Sequence, residues 1–426
     1  MARTPTSQTR LAQRSRNLAV LNQSTMSSMA SGTAICLILS CALVGGYASM
    51  FMSYHHGFFD ALRVCTSDIS VLSPEPCVLD MSGSPPSVRK GFTGIASVDS
   101  LINLLLEFFA QGLRSHPDAT GLNLGALLAF GYLATQFGGA WYLISLEGLR
   151  IGNQGTILSW TGTFGIIFQA VTITIIAPVY LTLQLLLSPS MPHASSVLAD
   201  PCELAVLPAS AVLSYILPTI GLCLPLLNVL SREGEYLAIA LWQPFPLYQS
   251  TIQSVARLVC RGRRGSANNT AHINARECKK ALGRAYKFII YLTLGVHLTV
   301  IGIIVTSTVT DLFPDISASQ ILALTSLTDP PTVALFDPPV SATSSREIVV
   351  SFLRWDVYCT CVSMLIWAAY QLHAVQRPSS VITTSLKAVL WTLVGGPIFP
   401  ALVFLWERDK IVLDRLELYN LYEKEE

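Results

Sequence analysis

Charged and amide side chains stand beside long apolar runs at three places in this chain, and each placement needs a physical reason. In the stretch from Trp141 to Pro189, Glu147, Arg150, Asn153 and Gln169 lie near or within apolar segments. A charge at mid-bilayer costs about 2.5 to 3.5 kcal/mol even on insertion scales, so such groups need partners or a wet cavity. Glu147 and Arg150 are three apart and can neutralise each other on one helix face as an interfacial ion pair. A second cluster, Arg232, Glu233 and Glu235, precedes Trp242-Gln243-Pro244-Phe245-Pro246. Two prolines there prevent a continuous helix and free backbone carbonyls, as in broken helices that line cavities. The plainer alternative is a turn with an interfacial belt of Trp242, Phe245 and Tyr248. The third is Arg354-Trp355-Asp356, which reads either as an interfacial anchor or as a carboxyl held beside an apolar helix. Glu107 is a reserve candidate on an amphipathic stretch.

Several chemistries lack their signatures. There is no GxxxxGK[ST], HExxH, GxSxG, DxDD or Asp-rich diphosphate motif. The seven histidines are scattered, and no CxxC pair has zinc-like spacing, so no metal site is expected. His297 stands within an apolar run, as a satisfied core imidazole or a proton relay; His55 and His56 adjoin a boundary.

The elements that must position these groups are membrane helices. Of 426 residues, 51% are hydrophobic and 12% charged, against about 25% charged in soluble domains. Apolar runs near 33 to 53, 121 to 146, 156 to 187, 205 to 230, 286 to 308, 349 to 372 and 387 to 406 are each long enough to cross a bilayer. Segments 95 to 113 and 236 to 258 are ambiguous. The fold class is therefore all-α, a polytopic integral membrane bundle of seven to nine transmembrane helices. Residues 1 to 32 read as a disordered cytosolic tail, 33 to 406 as a single transmembrane domain, and 407 to 426 as a charged C-terminal tail. The basic loop from Arg257 to Lys287 belongs in the cytosol by the positive-inside rule. The acidic loop from Asp311 to Glu347 and the acid-rich tail after Trp406 then fall on the lumenal side. The net charge of +1 offers nothing to nucleic acid. Cys36, Cys41, Cys223, Cys359 and Cys361 read as small core residues, whereas Cys65 and Cys77 share a polar loop that a disulfide could close. Asn22 and Asn268 are glycosylation sequons on tracts placed in the cytosol.

The pattern Glu147-Gly-Leu-Arg150-x-Gly-Asn153, then Gln169, Pro178-x-Tyr180 and Ser188-Pro189, with Trp242-Gln243-Pro244-Phe245-Pro246 downstream, resembles a filamentous-fungal family of membrane-bound terpene cyclases. That family includes the ascochlorin-pathway cyclase and related proteins of meroterpenoid and indole-diterpene clusters. The resemblance implies cyclisation of a prenyl chain, often epoxidised, attached to an aromatic or polyketide head group. It calls for no cofactor, and implies residence in the endoplasmic reticulum beside other enzymes of the same pathway. Protonating an epoxide or alkene needs a neutral carboxylic acid in an apolar setting, and the carbocation that follows needs π-faces and dry walls. On that reading Glu147 stands first as acid, then Asp356 and Glu235. Arg150, Asn153 and Gln169 would orient substrate or acid, and Trp160, Tyr180 and Trp242 would be the substrate-facing aromatics. Trp141, Tyr142, Phe164, Phe168 and Trp355 are further aromatic candidates. The alternative is a multi-pass transporter or efflux protein for a secondary metabolite, with Pro244 at its substrate site. A seven-span receptor fits the count but lacks a switch motif.

Overall fold

The computed structural model describes residues 31–55, 57–66, 91–113, 124–187, 194–227, 229–264, 274–310, 342–376 and 380–425. Residues 1–30 of the N-terminal tail, the loop holding Cys77, residues 311–341 of the acidic loop and both sequons lie outside them, as do the side chain of Cys65 and residue His56; residues 31–32 and 342–347 begin helices instead. Among the described residues the regular structure is helical, joined by turns and bends, with an isolated bridge between Arg150 and Ala199. Five helices are long and apolar enough to cross a membrane: α1 (Ser31–His55), α4 (Leu124–Gly148), α7 (Pro201–Leu227), α10 (Ala275–Thr310) and the apolar part, Ile348–Val375, of α11 (Ala342–Val375). The remaining helices are α2 (Phe58–Thr66), α3 (Ala96–Leu113), α5 (Thr161–Val171), α6 (Ile173–Leu187), α8 (Arg232–Trp242), α9 (Phe245–Arg264), α12 (Val381–Gly395) and α13 (Phe399–Glu425).

Two apolar runs expected to cross as single spans turn back instead. Run 156 to 187 becomes α5 and α6. If they formed one straight rod, Phe164 and Tyr180 would stand about 24 Å apart along its axis. Their rings are 5.0 Å apart, and Tyr180 Oη donates to the Leu158 carbonyl at 3.0 Å. The pair is thus an antiparallel helical hairpin turning at Thr172. Run 387 to 406 behaves likewise. α12 and α13 turn at Gly396, whose φ of +91° suits glycine, and Trp391 meets Phe399 at 5.8 Å across the turn. A Cβ on Gly396 would come within 2.7 Å of Gln136 Nε2, while Gln136 Oε1 accepts the Ile398 N–H at 3.1 Å. Hydropathy reports apolar length but not reversal of direction, which is why both hairpins resembled spans.

The second hairpin also corrects the expected sidedness. Because α13 returns beside the start of α10, Lys279 pairs with Asp414 and, at 3.4 Å, with Glu417. The basic segment and the acid-rich end of the chain therefore occupy one end of the bundle, not opposite faces. Residues after Trp406 continue as helix, with Arg408 and Asp409 buried.

The segment around Pro244 is broken as its prolines require. α8 stops at Trp242 and α9 begins at Phe245. Together they run antiparallel to α7. Trp242 Nε1 donates to Thr219 Oγ1 at 3.0 Å, Gln253 Nε2 to Ser210 Oγ at 2.8 Å, Arg257 pairs with Glu203 at 3.0 Å, and Cys260 is disulfide-bonded to Cys202. That bridge had no signal in the sequence, because its partners are 58 residues apart. Cys278, Cys359 and Cys361 are free and buried, as small core residues should be, while Cys36 is exposed.

Candidate active site

A cavity of about 850 Å³, within the range of small-molecule sites, lies between α1, α3, α4, α11, the tip of the first hairpin and the break at Trp242. Its walls are almost wholly apolar. Phe109, Phe137, Phe168, Tyr215 and Trp242 form one continuous aromatic face. Phe109 meets Trp242 at 5.3 Å, Phe137 meets Phe168 at 5.7 Å, and Tyr215 lies 5.9 Å from Phe137. Buried Tyr and Trp need partners for their polar atoms. Here the Tyr215 hydroxyl donates to the Ala134 carbonyl at 2.6 Å and the Trp242 N–H is held by Thr219. Both rings are thereby anchored at their polar ends, away from the aromatic face. Leu43, Tyr47, Phe51 and Tyr54 of α1 also line the cavity while exposed on the outer surface, so its mouth lies along an apolar flank.

Asp356 is the one carboxylate among the cavity's described lining residues, and Arg63 at the rim is the one cation. Asp356 is 7% exposed, and its Oδ1 accepts the Thr174 N–H at 2.9 Å. That donor exists because α6 begins afresh at Ile173: the first N–H groups of a helix have no intrahelical acceptor. The hairpin tip delivers them to α11. Gly45 of α1 permits the approach, since a Cβ there would fall on Thr174 Oγ1. Gln169 and Thr172 line the same wall.

Glu147 stands elsewhere. It belongs to a closed ionic cluster in which Glu147, Arg150, Arg408 and Asp409 are each at most 2% exposed. Glu147 Oε1 accepts from Arg408 at 2.9 Å and from Arg150 at 3.4 Å. Arg150 also pairs with Asp409 and donates to the Val197 carbonyl at 2.5 Å, and Tyr286 Oη donates to Asp409 at 2.8 Å. Two cations face two anions, and α4 is tied to α10 and α13. Asn153 caps this corner by donating to the Glu147 carbonyl at 2.8 Å.

Of the residues singled out in the sequence, the cavity therefore gathers Asp356, Gln169, Trp242 and Phe168. It leaves Glu147, Arg150 and Asn153 in the ionic cluster, and Tyr180 tied to Leu158 within the hairpin. Trp160 is 60% exposed and outside the cavity. Glu235 is buried on α8 beside Tyr236, which donates to Glu107 at 2.5 Å; neither carboxylate lines the cavity. Sequence reasoning missed Arg408 and Asp409, which looked like tail residues, and Thr172, whose type gives no hint of a turn. For the second hairpin a signal existed in Gly395-Gly396-Pro397. His297 bonds the Leu393 carbonyl at 3.1 Å, at the α10–α12 contact, and its ring lies tilted 5.8 Å from that of Tyr132.

An all-helical, apolar-walled chamber with an aromatic face and one carboxyl among its described lining residues suits an apolar ligand. The chain belongs to the CtvD-domain family, whose pattern it matches over residues 33–413. It is 29% identical over 329 residues to the terpene cyclase ascI of Acremonium egyptiacum, an alignment covering 75% of this chain and 79% of that one. It is 26% identical over 340 residues to the terpene cyclase ctvD of Aspergillus terreus, covering 78% and 88%. The terpene cyclase atmA of Aspergillus flavus is 22% identical over 386 residues, covering 88% and 96%. No solved structure matches. The resemblance read from the motifs and this family membership agree, and the relatives, named terpene cyclases, support a terpene cyclase role.

Proposed function

We propose that this protein is a multi-pass membrane terpene cyclase of the endoplasmic reticulum. In this reading it closes rings in the prenyl chain, epoxidised or not, of a meroterpenoid or indole-terpenoid intermediate. The observation that carries the reading is Asp356, the one carboxyl among the described lining residues of a chamber walled mainly by hydrocarbon and aromatic rings. As general acid, Asp356 gives its proton to the epoxide oxygen or terminal alkene of the bound chain. With an epoxide, the C–O bond breaks and the more substituted carbon becomes cationic. Alkene π electrons then attack in turn, each forming a C–C bond and passing the charge inward. The last cation loses a proton, and the carboxylate is reprotonated, so product and substrate are isomers. The aromatic face of Phe109, Phe137, Phe168, Tyr215 and Trp242 stabilises the migrating positive charge by cation–π attraction, and exclusion of water prevents its capture.

Antiparallel packing supports a topology of six traversing elements: α1, α4, α7, the broken α8–α9 pair, α10 and α11. Two hairpins, α5–α6 and α12–α13, enter and return. This takes the place of the seven to nine simple spans expected from hydropathy. The broken helix at Pro244 is the feature that favours a transporter as second reading. Microsomes containing the protein, incubated with an epoxyprenylated phenol or indole and analysed by liquid chromatography and mass spectrometry, decide between them. Cyclisation yields a product of unchanged mass and new retention time; transport leaves the compound chemically unaltered.

A further inference from the structure

One backbone outlier sits at the polar end of the chamber. Among the described residues Thr172 is the one non-glycine residue with positive φ, at +107°, paired with a ψ of 146°. Glycine enters this region freely, whereas a β-branched residue enters it only under strain. Such strain persists where the surroundings over-determine it, typically at functional positions. Glycine would turn the hairpin without the penalty, so what threonine adds is its side chain. Thr172 is 8% exposed, lines the chamber and lies beside the Asp356 carboxyl, yet its Oγ1 completes no hydrogen bond of regular geometry. Gln169, one turn earlier, brings a buried Nε2 without a partner to the same wall.

We infer that Thr172 is a positioning residue for the proton transfer, held by the strained hairpin tip with its hydroxyl against Asp356. The Thr174 N–H occupies Oδ1, which makes Oδ1 the acceptor oxygen and leaves Oδ2 to carry the proton. The Thr172 hydroxyl, with the Gln169 amide beside it, fixes the direction in which Oδ2 presents that proton to the substrate. The inference rests on Asp356 being the acid.

Three substitutions separate the side chain from the strain. Thr172→Gly removes both, Thr172→Val keeps the β-branched shape and strain without the hydroxyl, and Thr172→Ser keeps the hydroxyl. Thr172→Gly is expected to melt a few degrees higher than the wild type in detergent while forming product at least about 10-fold more slowly. Thr172→Val should turn over as slowly as Thr172→Gly, with the alkaline limb of its kcat profile displaced; Thr172→Ser should keep the wild-type profile. A residue of purely structural importance would move stability and turnover in the same direction. Wild-type turnover by Thr172→Val, or a melting temperature for Thr172→Gly below the wild type, would overturn the inference. The underlying reading fails separately: if Asp356→Asn still cyclises an epoxyprenylated phenol, Asp356 is not the acid. If Asp356→Asn is inactive but both Thr172→Val and Thr172→Gly match the wild type, this inference alone is lost.

Discussion

Replacing Glu147 by Gln separates a structural carboxylate from a catalytic one. The substitution preserves shape and the Oε1 acceptor, but it leaves Arg150 and Arg408 facing Asp409 alone, inside an enclosure where every member is at most 2% exposed. Moreover, Glu147 Oε2 has no hydrogen-bond partner. The glutamine amide placed there therefore buries N–H groups with no acceptor. Removing one partner of a buried ion pair costs about 3–5 kcal/mol, because the remaining charge is uncompensated. That is a large fraction of a net stability of about 5–15 kcal/mol. Glu147→Gln should accordingly lower the folded yield and the melting temperature measured by size exclusion in detergent. Turnover per folded molecule should stay close to wild type. Arg408→Met should be similarly damaging from the opposite sign. The double variant rebalances the charges, so it should be more stable than the summed single losses imply, by roughly 1–3 kcal/mol of coupling. A Glu147→Gln protein that is as stable as wild type yet forms no product would refute this and return Glu147 to the position of acid.

With Asp356 as the proposed acid, Asp356→Asn removes the donated proton while retaining an acceptor for the Thr174 N–H, so folding should survive and kcat should fall by about 10²–10⁴-fold; an active variant counts against the chamber as the reaction site. The Cys202–Cys260 bridge closes a 58-residue separation, and Cys202→Ser/Cys260→Ser should lose about 2–4 kcal/mol. The bridge sits at the end carrying the basic segment, where the positive-inside rule and the oxidising environment of disulfides give opposite orientations. Maleimide tagging in intact microsomes should label this pair only after reduction; labelling without reduction would deny the bridge. Asp99, at the start of α3, is held below the usual carboxylate range chiefly by the N–H and hydroxyl of Thr93, with further N–H bonds from Phe92 and Gly94. Its contribution is therefore present above the unfolded value, near about pH 4, and is lost as pH falls through the lower folded value. Hydrogen exchange of residues 92 to 99 should accelerate on acidification in wild type and be pH-independent, apart from the intrinsic rate, in Asp99→Asn.

The helical, strongly apolar character of the chain was legible in its composition, because hydropathy is a local property that each run carries with it. The break around Pro244 was legible for the same reason: proline acts on its own backbone. The cyclase resemblance was equally a matter of motifs along the chain. Tertiary structure decided what depends on distant partners. Glu147 and Asp356 are both carboxylates beside apolar helices, and nothing within a few residues of either distinguishes an ion-pair member from a lone group in a chamber. The distinction is made by Arg408, 261 positions from Glu147, and by the Thr174 N–H, 182 positions from Asp356. Runs 156 to 187 and 387 to 406 had the length of spans, but their reversal is set by packing. Tyr180 packs on Phe164, and Gln136 reaches the second turn. Chain order specified which residues were expensive to bury; only the folded contacts determined which of them were neutralised and which were left facing the cavity.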